Sequence, residues 1–295
     1  MHFCLTKIIR TRTRLFVPTA HIAFTSLSRK IFSENMANYA VFGATGNCGR
    51  SLIEVLLQSP NTKIQAYCRN KAKLTRMMPK AVATNRVQIF EGQIDDVELF
   101  ASCTRGCKAV FLTVSMNDNL PGCRVSQDTT ITLLSALEIL KAEVDSHIKM
   151  PKIVVLSSSS LDESLCRNLP RWFHWIIVRA NSNVYEDLRV QERVLRSQQD
   201  WLSSIFIKPG GLVLDKQRGH KLNLDEQETF VSYLDLAAAM VEAAEDPDNR
   251  YDMKNVSVHN MGGSARTPPG LPLLILCGML RHFFPWLHPY LPLLG

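Results

Sequence analysis

The chain has none of the cysteine spacings that organise a disulfide-rich or zinc-binding fold. Its eight cysteines include no C-x-x-C pair, and none stands at zinc-ligand spacing with a histidine. Several fall within apolar runs, as small buried residues do. We therefore expect reduced thiols, which are typical of an intracellular protein. The cysteines are Cys4, Cys48, Cys68, Cys103, Cys107, Cys123, Cys166 and Cys277.

Acidic residues are scarce at the start of the chain. Residues 1–35 contain six Lys or Arg residues and one acid, Glu34, so they carry +5 of the formal net charge of +7. The other 260 residues carry only +2, which excludes a broad basic surface for nucleic acid in the body of the protein. A basic, acid-poor start is composed like a mitochondrial transit peptide. We favour a disordered extension or an unused upstream start before Met36, in a cytoplasmic protein. A transit peptide, and with it a mitochondrial protein, is the alternative.

A glycine-rich turn joins a short apolar run to an amphipathic stretch. Gly43, Gly46 and Gly49 form G-x-x-G-x-x-G between the two. A strand, a glycine turn and a helix in this order predict a dinucleotide-binding loop, to which Thr45 and Asn47 also belong. The glycines allow a sharp turn, a close approach to pyrophosphate and close helix packing, and the N–H groups of the helix start then face the anion. A tight turn without a ligand is the alternative.

Short apolar runs alternate with longer amphipathic stretches along the rest of the chain. This alternation predicts an α/β fold, a Rossmann-type doubly wound parallel sheet with a small C-terminal region that covers the substrate. We expect a basic extension at 1–35, a cofactor-binding domain at 36–265 and an apolar tail at 266–295. The predicted strands are 39–43, 63–68, 87–90, 109–114, 152–157, 202–207 and 256–259, and the predicted helices are 47–58, 70–78, 97–103, 126–144, 182–198 and one within 230–240.

The end of the second predicted strand bears on the choice of cofactor. Rossmann domains that prefer NAD usually offer Asp or Glu there for the ribose hydroxyls. This chain has Arg69 and Lys71 at that point and no carboxylate. An arginine can hold a 2′-phosphate with a forked contact, so the sequence predicts NADP(H) rather than NAD(H). A solvated charge cluster is the alternative.

Candidate catalytic residues follow the fifth predicted strand. Ligands of open α/β sheets bind outside the carboxyl ends of the strands, so we expect Ser157 or Ser158 to hold a substrate carbonyl. Tyr185 and Arg189 lie one turn apart on one face of a predicted helix. A nearby cation stabilises a phenolate, so Tyr185 is the predicted proton donor and Arg189 is predicted to polarise it. The alternative is that Tyr185 is a core residue, because it also lies on an apolar stripe.

Two further segments are candidates for substrate contacts. Trp172, Phe173 and Trp175 are suited to lining a pocket for a flat aromatic substrate, with His174 assisting proton transfer. Plain packing is the alternative for all four. Pro209 begins the turn after the sixth strand and is expected beside the nicotinamide, and the polar segment 215–224 is expected to cover the site.

The tail combines an apolar run with aromatic residues and prolines. Residues 271–280 are almost wholly apolar, but the run is shorter than the roughly 20 residues that span a bilayer. We favour packing against the substrate pocket or a second subunit, as in a homodimer. Peripheral membrane contact through residues such as Trp286 and Tyr290 is the alternative.

Several of these stretches together resemble a family. Over about residues 39–260 the chain resembles the atypical short-chain dehydrogenases of the NmrA-like group, and more narrowly it is similar to the fungal averufin oxidase A family. The matching stretches are 43–50, 68–70, 155–158, 192–201, 207–210 and 231–237 for the wider group, and 68–74, 121–124, 184–189 and the Leu- and Pro-rich tail for the narrower one.

The resemblance implies an NAD(P)-dependent oxidoreductase that acts on a small aromatic substrate. The narrower family implies anthraquinone- or xanthone-type polyketides in fungal secondary metabolism, including mycotoxin biosynthesis. Arg189 stands where standard short-chain dehydrogenases have the lysine of Y-x-x-x-K, and Gln93 stands where the group often has an acid. Because NmrA-like proteins often bind the cofactor without turnover, the alternative function is an NADP(H)-binding redox sensor that acts through a protein partner.

Overall fold

The computed structural model describes residues 36–143, 150–263 and 265–294. The predicted N-terminal extension, and with it the transit-peptide hypothesis, lies outside the described residues.

The centre of the protein is an eight-stranded, mostly parallel sheet. Its strands run in the order β3-β2-β1-β4-β5-β6-β10-β8, and only β8 is antiparallel to its neighbour. A separate parallel pair joins β7 to β9. The strands are β1 Ala37–Phe42, β2 Thr62–Cys68, β3 Val87–Glu91, β4 Ala109–Leu112, β5 Lys152–Leu156, β6 Ser204–Ile207, β7 Leu212–Val213, β8 His220–Asn223, β9 Val231–Ser232 and β10 Asn255–Asn260.

Helices connect the parallel strands and cover both faces of the sheet, which confirms the predicted Rossmann-type fold. The strand order reverses between β1 and β4, and ligands of such sheets bind at this switch point, outside the carboxyl ends of the strands. The helices are α1 Asn47–Gln58, α2 Lys71–Met77, α3 Pro79–Val82, α4 Val97–Thr104, α5 Val125–Glu143, α6 Arg171–Ala180, α7 Ser182–Arg196, α8 Tyr233–Glu245 and α9 Leu271–Phe283, with 3-10 turns at Ser159–Leu161 and Pro285–Tyr290.

Side chains alternate between the two faces of β1, and each set enters a different core. Tyr39 and Val41 pack with residues of α1 and α8. Ala40 and Phe42 pack on the other face with residues of α4, α5 and α7. Because both faces of the strand are covered, its sequence reads as a continuous apolar run rather than an alternating one. That run is why the strand was predictable.

Helix α7 is fixed to the start of α5 by buried polar groups. The Asp187 carboxylate accepts hydrogen bonds from the backbone N–H groups of Ser126 and Gln127, at 2.8 and 2.9 Å. Gln191, one turn further on, donates to the Thr130 hydroxyl at 2.8 Å. An acid at a helix N-terminus satisfies unpaired N–H groups and the helix dipole. These contacts set the position of Tyr185 on α7.

Two segments differ from the sequence-based expectations. Residues 171–180 form helix α6, which the sequence analysis did not predict. Part of the polar segment 215–224 is strand β8, which pairs with β10 at the edge of the sheet instead of serving wholly as a cover. A strand with few apolar residues has a weak sequence signal, and here its backbone pairing with β10 decides the structure.

The tail folds back onto α6. A Cβ added at Gly278 would lie 2.1 Å from the Ala180 carbonyl oxygen, so α9 approaches α6 as closely as a glycine allows. The Arg281 side chain is 1% exposed and pairs with Asp118 at 3.3 Å. Asp118 also accepts a hydrogen bond from the backbone N–H of Leu294 at 3.1 Å. The tail therefore packs on α6 within the chain, whereas its predicted packing against the substrate pocket or a second subunit stays a prediction.

We expect Gly278→Ala to lower the free energy of unfolding by about 1–3 kcal/mol, because the new methyl group collides with backbone that cannot rotate away. Alanine is the better helix former, so helix propensity alone would raise the free energy of unfolding. A decrease therefore shows that the close packing of α9 on α6 dominates. The measurement is urea denaturation, with Gly270→Ala as the control because a Cβ there meets nothing within 4 Å. A Gly278→Ala variant as stable as the control would contradict the close contact of α6 and α9.

Candidate active site

The glycine loop has the geometry that a dinucleotide requires. Gly43 has a φ of +90°, and a Cβ there would lie 2.9 Å from the Thr113 carbonyl oxygen at the end of β4. A Cβ at Gly49 would lie 2.2 Å from the Gly43 carbonyl oxygen. Only glycine fits at either position, and the result is a helix start drawn close against the ends of β1 and β4.

The start of α1 is prepared for an anion. No side chain caps it, Gly46 is its exposed N-cap residue, and its first turn contains no acid. The uncapped N–H groups and the helix dipole suit a pyrophosphate. Asn47, predicted to contact the cofactor, accepts a hydrogen bond from Arg50 at 2.5 Å. Thr45 lies half-buried in the same turn.

Arg50 is a cation that the sequence analysis did not assign to the site. Its Nε is buried and has no hydrogen-bond partner among the described residues. Its position directly after the third glycine of the loop could have indicated a role in binding phosphate. Together with the loop geometry, this unpaired donor shows that the residues present fit a bound dinucleotide phosphate.

The end of β2 presents cations and, unexpectedly, one carboxylate. Arg69 is exposed and makes no ion pair among the described residues, and Asn70 caps α2 by accepting from the Lys73 N–H at 2.7 Å. The backbone N–H of Lys71 donates to Glu91 at 2.8 Å. Glu91 lies at the end of β3 and is in register with Cys68, so the neighbouring strand brings an acid to this point. That carboxylate is engaged with the backbone, whereas the Arg69 guanidinium is free to bind a ligand.

The structure separates the roles of the two predicted serines. The Ser158 hydroxyl lies 3.2 Å from the Tyr185 hydroxyl, so the end of β5 and the first turn of α7 bring these two groups together. The Ser157 hydroxyl instead donates to the carboxylate of Glu192. Ser158 is thus placed beside the candidate proton donor, and Ser157 belongs to the buried framework below it.

Tyr185 is a protonated phenol at neutral pH. It is 9% exposed, and burial raises its pKa above the ordinary value of 10. Hydrogen bonds from Ser158 and Ser160, and the charge of Arg189, lower the pKa by less than burial raises it. A buried neutral phenol can donate a proton to an oxygen that is gaining negative charge.

Arg189 does not contact the Tyr185 phenol directly. Its guanidinium is exposed and lies 3.4 Å from the carboxylate of Glu186, one turn back on the same helix. The predicted polarisation therefore reduces to a weak effect of charge at a distance, because solvent screens an exposed cation.

A buried ion pair fixes the elements that carry these groups. Lys208, 2% exposed, directly follows β6, and its Nζ lies 2.9 Å from Glu192 of α7. Glu192 also accepts from Ser157, so one carboxylate ties together the ends of β5 and β6 and the middle of α7. The sequence analysis missed this cluster. The sequence did contain an indication of this cluster. A lysine directly after a buried apolar strand needs an acidic partner, because an unpaired buried charge is too costly.

Pro209 holds the turn after β6 against the serines. Its carbonyl oxygen accepts from the Ser159 N–H at 2.9 Å. A Cβ at Gly210 would lie 2.3 Å from the Glu228 carbonyl oxygen, so this turn is also packed tightly against the segment that precedes β9. Its predicted position beside the nicotinamide stays a prediction.

The aromatic residues of α6 are arranged differently from the predicted pocket. Trp172 is 68% exposed, and Trp175 is exposed with the Arg179 guanidinium 4.0 Å from its ring centre. His174 lies on the inner side, with Nε2 3.0 Å from the Ser160 carbonyl oxygen. In this arrangement His174 anchors α6 to the serine turn, and the two tryptophans face outward.

A cavity of about 490 Å³ lies away from this site. Lys108, Lys152 and Glu245 are among its lining residues, and it opens at the amino ends of β4 and β5. That is the opposite edge of the sheet from the one at which α/β proteins bind their ligands. The glycine loop and the Ser158–Tyr185 pair therefore define the candidate active site.

Comparison with known proteins agrees with this geometry. A family described as NAD(P)H-binding matches residues 43–247, which include the glycine loop, Ser158 and Tyr185. The chain belongs to this NAD(P)H-binding family. The match spans more than half of the chain.

Fungal relatives extend the assignment to the activity. An oxidoreductase of Pestalotiopsis microspora is 58% identical over 260 residues, which are 88% of this chain and 99% of the relative. Oxidoreductase AgnL4 of Paecilomyces divaricatus is also 58% identical over 88% of this chain and 99% of its own length. Oxidoreductase tpcG of Aspergillus fumigatus is 53% identical over 87% and 97%. The chain is an NAD(P)-dependent oxidoreductase, which favours an enzyme over the alternative of a sensor.

Solved structures agree on the fold. A short-chain dehydrogenase/reductase from Veillonella parvula in complex with NADP aligns with a TM-score of 0.61 at 17% identity, over 79% of this chain and 99% of that one. ChuY from Escherichia coli O157:H7, described as an anaerobillin reductase, aligns with a TM-score of 0.58 at 18% identity, over 78% and 100%. At such identities the likeness shows a shared Rossmann-type fold.

We expect Lys208→Met to lower the free energy of unfolding by about 3 kcal/mol, because it leaves the buried Glu192 carboxylate with only the more distant Arg196 guanidinium, at 3.9 Å. The double variant Lys208→Met with Glu192→Leu should recover most of this loss, since it removes both charges. Urea denaturation measures the two variants. Arg124→Met is the control, because its pair with Asp128 is exposed and worth about 1 kcal/mol or less. Equal losses for Lys208→Met and Arg124→Met would contradict a structural role for the buried pair.

Proposed function

We propose that the protein is an NADPH-dependent oxidoreductase that acts on an aromatic polyketide of anthraquinone or xanthone type in fungal secondary metabolism. The observation that carries the proposal is the buried, neutral Tyr185 phenol beside the Ser158 hydroxyl, at the same edge of the sheet as the glycine loop. The resemblance of residues 68–74, 121–124 and 184–189 to the averufin oxidase A family supports the substrate class.

The side chains divide the chemistry between them in the direction of reduction. A bound nicotinamide would supply the hydride that adds to the carbonyl carbon. Ser158 holds the carbonyl oxygen, and the Tyr185 O–H bond breaks as its proton moves to that oxygen. The phenolate then regains a proton from solvent, which completes the conversion of a ketone to an alcohol. In the direction of oxidation the same groups accept the proton.

Arg69 supports NADPH as the preferred cofactor. Its exposed guanidinium follows β2, at the place where NAD-preferring Rossmann domains offer an acid. Glu91, the nearby acid, is bonded to the Lys71 backbone. The Veillonella parvula structure that shares the fold was solved with NADP, which agrees with this preference.

Tyr185→Phe should lower kcat by about 100- to 10,000-fold, because it removes the proton donor and leaves the ring in place. NADPH binding, followed by fluorescence titration, should be unchanged. Tyr251→Phe is the matched control, since Tyr251 lies next to the amino end of β10 and should keep full activity. The assay follows NADPH oxidation with emodin-type anthraquinones. Unchanged turnover of Tyr185→Phe would remove this residue from the mechanism.

Arg69→Ala should raise the Kd for NADPH by about 10-fold or more, because the variant loses a charge-assisted, forked contact to the 2′-phosphate. The Kd for NADH should not change, since NADH lacks that phosphate. Lys73→Ala, one turn further along the same exposed surface, is the control. Equal affinities of the unmodified protein for NADPH and NADH would contradict the proposed preference.

A further inference from the structure

Exposed aromatic rings from two separate segments meet on one surface. Trp175 of α6 lies 6.3 Å from Phe283 of α9, and Phe284 lies 5.3 Å from Trp286, measured between ring centres. All are exposed, Trp286 at 66%. With Trp172 they form a surface that we call the aromatic face. Contiguous exposed apolar surfaces of this kind mark contact with a partner or a membrane.

The aromatic face is built on a fixed support. Helix α9 is pressed against α6 at Gly278 and Ala180, and the buried Arg281–Asp118 pair holds the following turn. The Arg281 guanidinium also donates to the Pro292 carbonyl oxygen at 2.7 Å. The rings therefore project from a well-packed part of the structure. Their exposure follows from this packing and not from a loosely held segment.

The two segments that carry the rings contain arginines and no acid, and the exposed Glu186 that follows the first of them pairs with Arg189. Residues 164–185 and 253–295 contain no Asp or Glu, and they contain the exposed Arg171 and Arg266 and the partly exposed Arg179. Asp118, which reaches under the tail, is buried and paired with Arg281. Aromatic rings on segments that bear arginines and no acid match the interface of an anionic bilayer, where the rings enter the headgroup layer and the cations meet lipid phosphates and carboxylates.

The same charges disfavour a second copy of the chain as the binding partner of the aromatic face. In a twofold-symmetric dimer a surface packs against itself, so the arginines of one face would meet those of the other with no acid between them. No helix in the described residues is long and apolar enough to cross a bilayer.

We propose that the aromatic face docks this protein on the surface of an anionic lipid membrane. The face borders the candidate active site, since His174 of α6 contacts the Ser160 carbonyl oxygen. The proposal rests on the surface alone and stands whatever the substrate is.

Three of the four tryptophans of the chain belong to the face, so intrinsic fluorescence reports on it directly. The fourth, Trp201, lies elsewhere with Lys141 over its ring. The experiment mixes the full chain with vesicles of phosphatidylcholine, or of phosphatidylcholine with about 30% phosphatidylserine. Bound protein is measured by co-sedimentation, and ring insertion by quenching with brominated lipids. We expect binding and quenching on the anionic vesicles, and weaker binding in high salt.

Two pairs of variants test the residues. Trp172→Ala with Trp286→Ala should lower binding to anionic vesicles by about 10-fold or more, because two large rings no longer enter the interface. Met261→Ala is its control, since Met261 is equally exposed but lies outside the face. Arg171→Glu should lower binding by about fivefold or more. Its control is Lys63→Glu, an exposed cation at the amino end of β2. Circular dichroism checks that each variant is folded.

Three results would overturn the proposal. They are absence of binding to anionic vesicles, equal binding to neutral and anionic vesicles, and binding that the face variants do not reduce. Light scattering in the absence of lipid tests directly whether the aromatic face binds a second copy of the chain. A dimer that Trp172→Ala with Trp286→Ala converts to a monomer would assign the face to a subunit interface instead.

Discussion

The buried ion pair between Lys208 and Glu192 is the interaction on which the active-site framework depends. It joins the end of β6 to the helix that carries Tyr185, and through Ser157 it also includes the end of β5. Burying two charges is costly, and the cost is tolerable only because the two groups satisfy each other and the serine adds a further donor. The strands β5 and β6 and the helix α7 otherwise pack mainly through non-directional apolar contacts. The ion pair gives them one specific arrangement.

That arrangement explains why neighbouring residues have different roles. Ser157 faces the ion pair, so Ser158, the next residue, is presented to the Tyr185 phenol. Helix α7 is held at two points beyond Tyr185. Asp187 binds the start of α5, and Glu192 binds the ends of β5 and β6. The phenol is protonated at neutral pH, and its burial in this framework raises its pKa further. Packing rather than a direct contact from Arg189 therefore sets the environment of Tyr185.

Much of the fold was predictable because its signals are local. The central strands β1, β4, β5 and β6 are apolar runs, and the glycines of 43–49 can be read from the turn they must form. The position of Ser158 at the ligand-binding edge was also predictable, because it follows the carboxyl end of a parallel strand.

The contacts that were missed are long-range. Glu91, at the end of the neighbouring strand, accepts a hydrogen bond from the Lys71 backbone. Glu192 of α7 forms an ion pair with Lys208 at the edge of the sheet. Helix α6 was missed because its aromatic residues suggested a pocket, whereas the close approach of Gly278 leaves two tryptophans facing outward. Such pairings depend on how the elements pack, and a single sequence does not encode them locally.

The reaction that we propose is hydride transfer from NADPH to a planar aromatic ketone at this site. The most direct measurement mixes the full chain with NADPH that carries deuterium at both positions of the nicotinamide C4, together with an emodin-type anthraquinone or its hydroquinone, and analyses the products by mass spectrometry. The account predicts that one deuterium appears in the product for each NADPH consumed. Tight NADPH binding with no deuterium transferred to any such compound would contradict it.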